Sequence, residues 1–204
     1  MPEVGYALLA KKGTKRKYRR RQQEVLNAAA AVIARKGYHG ATTTDIADKL
    51  GVAQPSLYYY FASKDEALEE ICRIGTAGYL ERLQAIMDGA GATPNKIRDA
   101  ILAHIEPVLT IPNYVKSFQR ERRYLPDGRR RELGRLTGEY DTLFRLLLES
   151  GVAAGDLWPG LDCGLAASML ITQCNAAQYF VTDEVSLART SAAIADVFLT
   201  GAER

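Results

Sequence analysis

The sequence is poor in the residues that carry most metal and redox chemistry. Its 204 residues include three cysteines, two histidines and a single tryptophan, and no CxxC pair occurs. Cys72, Cys163 and Cys174 are scattered among apolar residues, and they lie far in sequence from His39 and His104. This spacing favours small buried thiols in a reducing compartment over a metal centre or a disulfide framework. We therefore expect neither a metal site nor a cofactor.

Long apolar runs and catalytic motifs are also missing. No uninterrupted apolar stretch approaches the roughly 20 residues that cross a bilayer. The N-terminal stretch has a short apolar segment that is followed, not preceded, by basic residues, which is not the order of a secretory signal. No HExxH, GxSxG or P-loop motif occurs, and neither histidine has an acid–base partner evident in the sequence. We expect a cytoplasmic protein that has no membrane partner and is not an enzyme.

Charge is distributed unevenly along the chain. Residues 1–66 carry 12 Lys or Arg and 6 Asp or Glu, a net charge of +6, whereas residues 67–204 carry 15 and 18, a net charge of −3. Between Lys11 and Arg21, eight of eleven residues are basic and none is acidic. A basic arm on an otherwise near-neutral chain suggests a polyanionic partner.

The pattern of the chain is helical throughout and predicts an all-α protein. Alanine and leucine are abundant, alternating strand patterns are missing, and Gly and Pro fall between stretches with helical periodicity. We expect about nine helices, in a small N-terminal domain over 19–66 and a larger domain over 67–204. The predicted helices are Arg20–Arg35, Thr43–Leu50, Gln54–Phe61 and Ser63–Met87, followed by stretches near 95–110, 114–124, 127–150, 161–181 and 185–200.

Residues 42–61 have the pattern of a helix-turn-helix, in which two short helices cross steeply and are joined by a tight turn. Ala47 is small where the two helices approach each other. Gly51 permits a left-handed backbone at the turn. Leu57 and Phe61 supply the inner face of the second helix, which leaves polar and tyrosine side chains on its outer face.

Four segments around this motif resemble the TetR family of one-component bacterial regulators in their order and spacing. The match covers about 30 of the 204 residues closely. The resemblance implies a homodimer that binds a palindromic operator in double-stranded DNA and is released by a hydrophobic small-molecule effector, with repression as the usual outcome. The four segments are Gly37–Ala47, Leu50–Val52, Ser56–Phe61 and Ser63–Leu68.

The resemblance also implies which residues meet DNA. Hydroxyls at the start of the second helix favour phosphate, or serve only as a cap. The first residues of the third helix meet base edges, and Gln54 is able to bond adenine in a bidentate way. Neighbouring helical residues point about 100° apart, so three successive tyrosines cannot all face DNA, and we expect Tyr60 in the core. The predicted DNA-binding residues are Arg20, Thr42, Thr43, Thr44, Gln54, Pro55, Ser56, Tyr58, Tyr59 and Lys64.

The basic arm exceeds what the family needs at its N-terminus. Our hypothesis is that residues 1–18 are disordered in solution and enter the minor groove or follow the DNA backbone in the complex. A solvated tail with no specific role is the alternative.

The larger domain is expected to bind the effector and to form the dimer. The helices near 161–181 and 185–200 have broad apolar surfaces with many small residues, so two from each subunit are able to pack as a four-helix bundle. Burial inside a monomer is the alternative. The predicted pocket-lining residues are Ile105, Leu109, Phe118, Arg122, Arg123, Tyr140, Phe144, Leu147, Met169 and Gln173.

An arginine-rich segment adds a hypothesis about the effector. Seven arginines lie within residues 120–135, and this region resembles that of acyl-CoA-responsive members of the family. An apolar acyl or steroid-like tail would enter the pocket while arginines hold the CoA phosphates. The alternatives are a solvated face, with glutamates balancing the charge, and a regulator of an efflux pump that responds to a drug-like ligand.

Overall fold

The computed structural model describes residues 3–202, with side chains from residue 16 onwards. Within that range the chain forms nine α-helices and three short 3-10 helices and contains no strand, which confirms the predicted all-α class. None of these helices combines the length and hydrophobicity that a membrane span needs. The α-helices are α1 (Glu3–Gly40), α2 (Thr43–Leu50), α3 (Lys64–Thr76), α4 (Tyr79–Asp88), α5 (Thr93–Thr110), α6 (Pro112–Glu121), α7 (Asp127–Ala154), α8 (Cys163–Ala176) and α9 (Glu184–Ala202), and the 3-10 helices are Gln54–Tyr59, Arg122–Tyr124 and Ala177–Tyr179.

The first helix is longer than the sequence pattern predicts. It begins at Glu3 rather than at Arg20, so the basic segment forms the N-terminal part of α1. Alanine, leucine, lysine and arginine, which are abundant there, have high helix propensity, whereas the apolar periodicity that set the predicted start begins only near Val25. The first two residues of the predicted arm lie outside the described residues, and the disorder of the arm in solution stays a prediction.

The predicted fourth helix is wrong in its length. It is broken into α3 and α4 at Gly78, whose φ of 78° is left-handed. The apolar periodicity continues on both sides of the break, which is why it did not reveal the change of direction. The predicted cap is present, since the amide of Glu66 donates to Ser63 Oγ at 3.1 Å, but the Glu66 carboxylate accepts from the amide of Ala62 instead of that of Ser63.

The second helix of the helix-turn-helix is a 3-10 helix over Gln54–Tyr59, which ends two residues earlier than predicted. Pro55 occupies its first turn, as the pattern indicated, and Leu57 is fully buried on its inner face. The turn before it has the predicted left-handed residue, Gly51, with a φ of 65°.

Two hydrophobic cores meet along α6. Ile33, Ile46 and Leu57 belong to the N-terminal core, and Ile101 and Phe144 to the larger one. The three cysteines are buried, as predicted. The helix α6 contributes Tyr114 and Phe118 to the N-terminal core and Val115 to the larger core, so it is shared by both cores, as is α7 through Leu133 and Phe144.

Hydrogen bonds fix α6 to the first helix. The hydroxyl of Tyr114 donates to Asn27 Oδ1 at 2.6 Å, and Ser117 Oγ donates to the carbonyl of Ala30 at 3.3 Å. Ser117 is fully buried. A displacement of α6 would therefore break buried contacts unless α1 moves with it.

A break near the end of α1 adds a third contact. Gly37 has non-helical angles, φ 75° and ψ 164°, which turn the chain so that the amide of Tyr38 points at α6. That amide donates to Glu121 Oε2 at 3.1 Å, and Glu121 is buried. Through this bond, α6 of the larger domain contacts the segment that directly precedes the helix-turn-helix.

Candidate DNA interface and effector cavity

The start of α2 is held by a reciprocal cap. The amide of Asp45 donates to Thr42 Oγ1 at 3.1 Å, and the amide of Thr42 donates to Asp45 Oδ2 at 3.1 Å. The Lys36 ammonium, 2.6 Å from Asp45 Oδ1, and the hydrogen bonds from Thr42 lower the pKa of Asp45 to about 2. A hydroxyl has a donor hydrogen as well as acceptor lone pairs, so capping leaves the hydrogen of Thr42 able to meet a phosphate.

The side-chain amide of Gln54 connects the two helices of the motif. Its Nε2 donates to Thr43 Oγ1 at 2.7 Å, and Thr44 Oγ1 donates to its Oε1 at 3.4 Å. These bonds hold the amide at the junction of the helices. A bidentate contact of Gln54 with adenine would require them to be exchanged for bonds to the base.

The outer face of the 3-10 helix is open to solvent. Pro55 and Ser56 are exposed, and the exposed fractions of Tyr58 and Tyr59 are 51% and 72%. As predicted, Tyr60 packs against the N-terminal core. These side chains are at the surface that a duplex would approach, and their contacts with DNA stay a prediction.

Aromatic stacking attaches the second helix of the helix-turn-helix to α1. The Tyr18 ring stacks on that of Tyr60 at 5.6 Å and meets the Tyr59 ring edge-on at 5.7 Å. Aromatic pairs of this kind contribute about 0.5–1.5 kcal/mol beyond their buried area. The last residue of the predicted arm is thus packed beside the tyrosines of the predicted DNA surface.

Lys64 and Arg20, the two cationic residues predicted to contact DNA, already have polar partners within the protein. Lys64 Nζ donates to the carbonyls of Tyr38 and Ala41 at 2.8 and 3.1 Å and lies 4.3 Å from the centroid of the Tyr38 ring. An ammonium has three donors, so one remains for a phosphate. Arg20 is exposed on α1, with its Nε 3.6 Å from Glu24 Oε1.

A cavity of about 500 Å³ lies where the α3–α4 junction faces α6, α7 and α8. Pockets of roughly 300–1,000 Å³ are typical for small-molecule ligands. It is lined by Arg73, Thr76, Ala77, Gly78, Tyr79, Leu80, Glu81, His104, Phe118, Arg122, Leu136, Thr137, Tyr140, Asp141, Ser168, Ile171, Thr172 and Asn175.

A hydrogen-bonded polar cluster forms one wall of this cavity. His104 Nδ1 lies 3.0 Å from the Tyr140 hydroxyl, and His104 Nε2 lies 3.3 Å from Asn175 Oδ1. The amide of Gln119 donates to the same Asn175 oxygen at 3.1 Å. Burial lowers the pKa of His104 to about 4, so the ring is neutral at neutral pH. Sequence reasoning missed this cluster, although a histidine within an apolar helical stripe was a signal for it.

Comparison with known proteins decides the family. Residues 25–71 match the family model described as "Bacterial regulatory proteins, tetR family", and residues 90–183 match "Tetracyclin repressor-like, C-terminal domain". The chain is 31% identical over 146 residues to the HTH-type transcriptional repressor KstR2 of Mycolicibacterium smegmatis, covering 71% of each chain. The protein belongs to the TetR family. The predicted resemblance is thereby confirmed.

Other TetR-family similarities extend over most of the chain. The fatty acid metabolism regulator protein of Bacillus subtilis is 26% identical over 74% of this chain and 78% of its own. The structure of the ketosteroid transcriptional regulator KstR2 of Mycobacterium tuberculosis superposes with a TM-score of 0.84 at 23% identity, over 90% of this chain and 95% of that one. A structure of AibR with isovaleryl coenzyme A and operator DNA has a TM-score of 0.76 at 17% identity, over 87% and 97%.

The residues predicted to line the pocket of this TetR-family protein are found in three places. Phe118, Arg122 and Tyr140 line the cavity. A second group is part of the larger hydrophobic core or packs against it, and a third group is exposed. Helical periodicity identifies a buried face but not whether that face meets a neighbouring helix or a void, which is why the prediction mixed the groups. The core group is Ile105, Leu109, Phe144 and Leu147, and the exposed group is Arg123, Met169 and Gln173.

Three of the seven arginines of the segment 120–135 pair with acidic side chains on the surface. Arg129 Nε lies 3.1 Å from Glu69 Oε2, and Arg130 Nη2 lies 2.5 Å from Asp127 Oδ1. Arg135 pairs with a glutamate one turn further along α7. These pairs favour the solvated-face alternative for residues 129–135. Arg122 differs, because it lines the cavity with its guanidinium carbon 4.9 Å from the centroid of the Phe118 ring.

The last two helices expose large apolar side chains. Leu165 and Met169 on α8 are 59% and 56% exposed, and Val185 and Val197 on α9 are 79% and 68% exposed. Phe180, in the connection between the helices, is 61% exposed. Contiguous exposed apolar patches on soluble proteins mark interaction sites.

Proposed function

We propose that this TetR-family protein is a transcriptional repressor that binds a palindromic operator as a homodimer and leaves it when a hydrophobic small molecule enters the cavity. The observation that carries the proposal is the position of α6, which lines the cavity with Phe118 and is hydrogen-bonded to α1 beside the helix-turn-helix. A relative that is 31% identical is named a transcriptional repressor, which supports this outcome over activation.

The dimer would form through α8 and α9. Their exposed leucine, methionine, valine and phenylalanine side chains supply the apolar area that a stable interface buries. A two-fold axis through a four-helix bundle of these helices places one helix-turn-helix on each side of the molecule. The two recognition helices would then enter successive major grooves, about 34–36 Å apart.

The switch would act through α6. The sequence predicts one continuous helix over Ser63–Met87 between the two domains, but that helix is broken at Gly78. In contrast, Tyr114, Ser117 and Glu121 join α6 to α1 through hydrogen bonds. An effector that contacts Phe118 would favour a position of α6 in which the distance between the two recognition helices of the dimer no longer matches successive major grooves. It is able to do so only if it binds the two arrangements with different affinity.

The effector class that we propose is a lipid CoA thioester. Arg73 and Arg122 line the cavity, and Arg122 offers a cation to the phosphates of CoA, whereas Arg73 would have to exchange its pair with Glu70 to do so. The names of similar proteins refer to fatty acid metabolism, to ketosteroids and to isovaleryl coenzyme A. The alternative is that the protein regulates an efflux pump and responds to a drug-like ligand, and the ligand test must distinguish the two.

A salt-titrated mobility shift on the DNA upstream of the protein's own gene tests the proposal. Binding should depend on sequence, and its affinity should fall steeply with salt because phosphate contacts release counterions. Tyr58→Ala should weaken binding, whereas Trp158→Ala, at 52% exposure against 51% for Tyr58, should leave it unchanged. Binding that is indifferent to sequence and salt would reject a regulator.

The effector class is tested by adding candidate ligands to the same complex. Long-chain and steroid CoA thioesters should release the operator and raise the melting temperature of the free protein. Release by drug-like cations or dyes, with no response to any CoA thioester, would support the efflux-pump alternative instead.

A further inference from the structure

A chain of side-chain amides beside the cavity has a fixed direction of hydrogen bonding. It begins at Gln178, whose Nε2 lies 3.3 Å from the backbone carbonyl of Asn175. A carbonyl oxygen only accepts, so the atom facing it is the NH2 nitrogen of the Gln178 amide. The same nitrogen donates to Gln119 Oε1, and Gln119 Nε2 in turn donates to Asn175 Oδ1 at 3.1 Å. The side-chain oxygen of Asn175 is therefore the acceptor at the end of this chain.

This direction decides which ring nitrogen of His104 carries the hydrogen. Its Nε2 is 3.3 Å from the accepting Asn175 Oδ1, so Nε2 is the donor. Burial lowers the pKa of His104 to about 4, and a neutral imidazole has a single N–H. Nδ1 is then an acceptor, and the Tyr140 hydroxyl, 3.0 Å away, donates to it. The hydroxyl oxygen of Tyr140 has only lone pairs left for a ligand.

The other hydroxyl groups of the cavity are used in the same way. The Tyr79 hydroxyl donates to the backbone carbonyl of His104 at 3.2 Å. Thr76, Thr137 and Thr172 donate to carbonyls of their own helices at 3.0, 3.1 and 2.8 Å. Five of the six hydroxyl-bearing residues that line the cavity thus donate within the protein. A hydroxyl has one hydrogen and two lone pairs, so these five groups offer a ligand acceptors and no donor.

The part of the lining formed by Tyr79, His104, Tyr140 and Asn175, which we call the tyrosine wall, carries no charge. Burial raises the pKa of Tyr79 to about 12 and also raises that of Tyr140, so both phenols keep their hydrogens. A charged group of a ligand at this wall would have no ionic partner, and burying an unpaired charge is costly. The charged residues that line the cavity are all exposed to solvent, and they are Arg73, Glu81, Arg122 and Asp141.

We propose that the tyrosine wall binds a hydroxyl group of the effector, and that this hydroxyl donates to the hydroxyl oxygen of Tyr140. This inference rests on the proposed function of the cavity as the effector site. A ketone or carboxylate oxygen would place its lone pairs against those of Tyr140, whereas an alcohol supplies a neutral donor. The apolar body of the effector would therefore carry an alcohol at the end that enters the cavity.

The proposal predicts that two substitutions change the ligand preference in different ways. Tyr140→Phe removes the acceptor oxygen, so the affinity for an alcohol should fall about tenfold while that for the matched ketone should not fall. His104→Leu removes the acceptor that holds the Tyr140 hydrogen, so the hydroxyl is able to donate and the ketone should bind more tightly. A role of either residue in packing alone would weaken both ligands alike.

The test compares two ligands that differ only in this group. Binding of 2-decanol and of 2-decanone is measured by calorimetry for the full-length protein, for Y140F and H104L, and for the control Y179F, which removes the hydroxyl of a tyrosine that is 65% exposed. The wild type and Y179F should bind 2-decanol about tenfold more tightly than 2-decanone. Y140F should lose this preference through weaker binding of the alcohol, and H104L should reduce it through tighter binding of the ketone.

A second pair of probes connects the result to the proposed effector class. The CoA thioester of 9-hydroxydecanoate should release the operator at about tenfold lower concentration than that of 9-oxodecanoate, since the same hydrogen bond distinguishes them. The difference should disappear in Y140F and persist in Y179F.

Equal affinity of the wild type for the two decane derivatives, or tighter binding of the ketone, would overturn the proposal. So would retention of the preference in Y140F, an equal loss of both ligands in that variant, or no binding of either probe to the wild type. Release of the operator by both thioesters at the same concentration would reject this inference and leave the proposed function standing. Failure of every CoA thioester to release it would instead count against the proposed effector class.

Discussion

At the scale of single residues, the most informative position is His104. It is a polar side chain within the apolar stripe of α5, and its two ring nitrogens have Tyr140 and Asn175 as partners. Burial and the loss of hydration disfavour the imidazolium, which lowers the pKa of His104 from 6.5 to about 4. The same residue therefore connects the packing of the cavity wall to the response of the protein to acid.

We predict that the free energy of unfolding falls on acidification because of His104. Its pKa is near 6.5 in the unfolded chain, so below that pH the unfolded state takes up the proton first. The stability from the neutral ring is complete above pH 6.5 and is lost progressively down to about pH 4. Between about pH 7.5 and 5 the loss should be about 2 kcal/mol.

Urea unfolding at these two pH values measures the effect. In His104→Gln, the difference in the free energy of unfolding between the two pH values should be smaller than in the wild type by about 2 kcal/mol. The control is His39→Gln, which replaces the other, exposed histidine and should keep the pH dependence of the wild type. An unchanged pH dependence in His104→Gln would contradict the assignment.

At the scale of elements, the break at the end of α1 determines how the domains are joined. Gly37 has a φ of 75° and a ψ of 164°, a region that only glycine enters readily. Its conformation aims the amide of Tyr38 at the buried carboxylate of Glu121. A residue with a side chain would either strain the backbone or straighten the helix and lose this bond.

We expect Gly37→Ala to destabilise the protein by about 1–3 kcal/mol, because alanine is strained in this conformation. The matched control is Gly134→Ala in α7, where an added Cβ meets no atom within 4 Å. That substitution should stabilise the protein by about 0.5–1 kcal/mol, since alanine loses less entropy in a helix. Chemical denaturation of both variants checks the signs, and two effects of the same sign would be inconsistent with a break at Gly37.

At the scale of the whole molecule, the exposed face of α8 and α9 predicts how subunits meet. Met169→Glu should convert the dimer to a monomer, because a carboxylate buried at the interface would be unpaired. Leu102→Glu introduces the same charge at a leucine of α5 that is 43% exposed, and it should leave the dimer intact. Sedimentation analysis measures the mass, and a Met169→Glu protein that stays dimeric would place the interface elsewhere.

The basic arm gives a second prediction at this scale. Deleting residues 1–17 should lower operator affinity and flatten its dependence on salt, because fewer phosphates would be neutralised. The oligomeric state should not change, since the dimer contacts that we propose are on α8 and α9. If both the affinity and its salt dependence match those of the full-length protein, the arm is a solvated tail.

The sequence by itself determined the all-α class and the DNA-binding motif. These depend on local signals, such as the cap at Thr42, the left-handed Gly51 and the spacing of Ala47, Leu57 and Phe61, which act within one or two turns of the chain. The same local signals underlie the match to the family model over residues 25–71.

Only the tertiary structure decided the cavity, the break between α3 and α4, and the part that α6 takes in joining the domains. The cavity wall combines residues far apart in sequence, such as Tyr79, His104, Tyr140 and Asn175, and periodicity states only that each lies on a buried face. Whether such a face meets another helix or an empty space depends on how several helices pack against one another. That packing is a property of the whole fold, which no local pattern of residues describes.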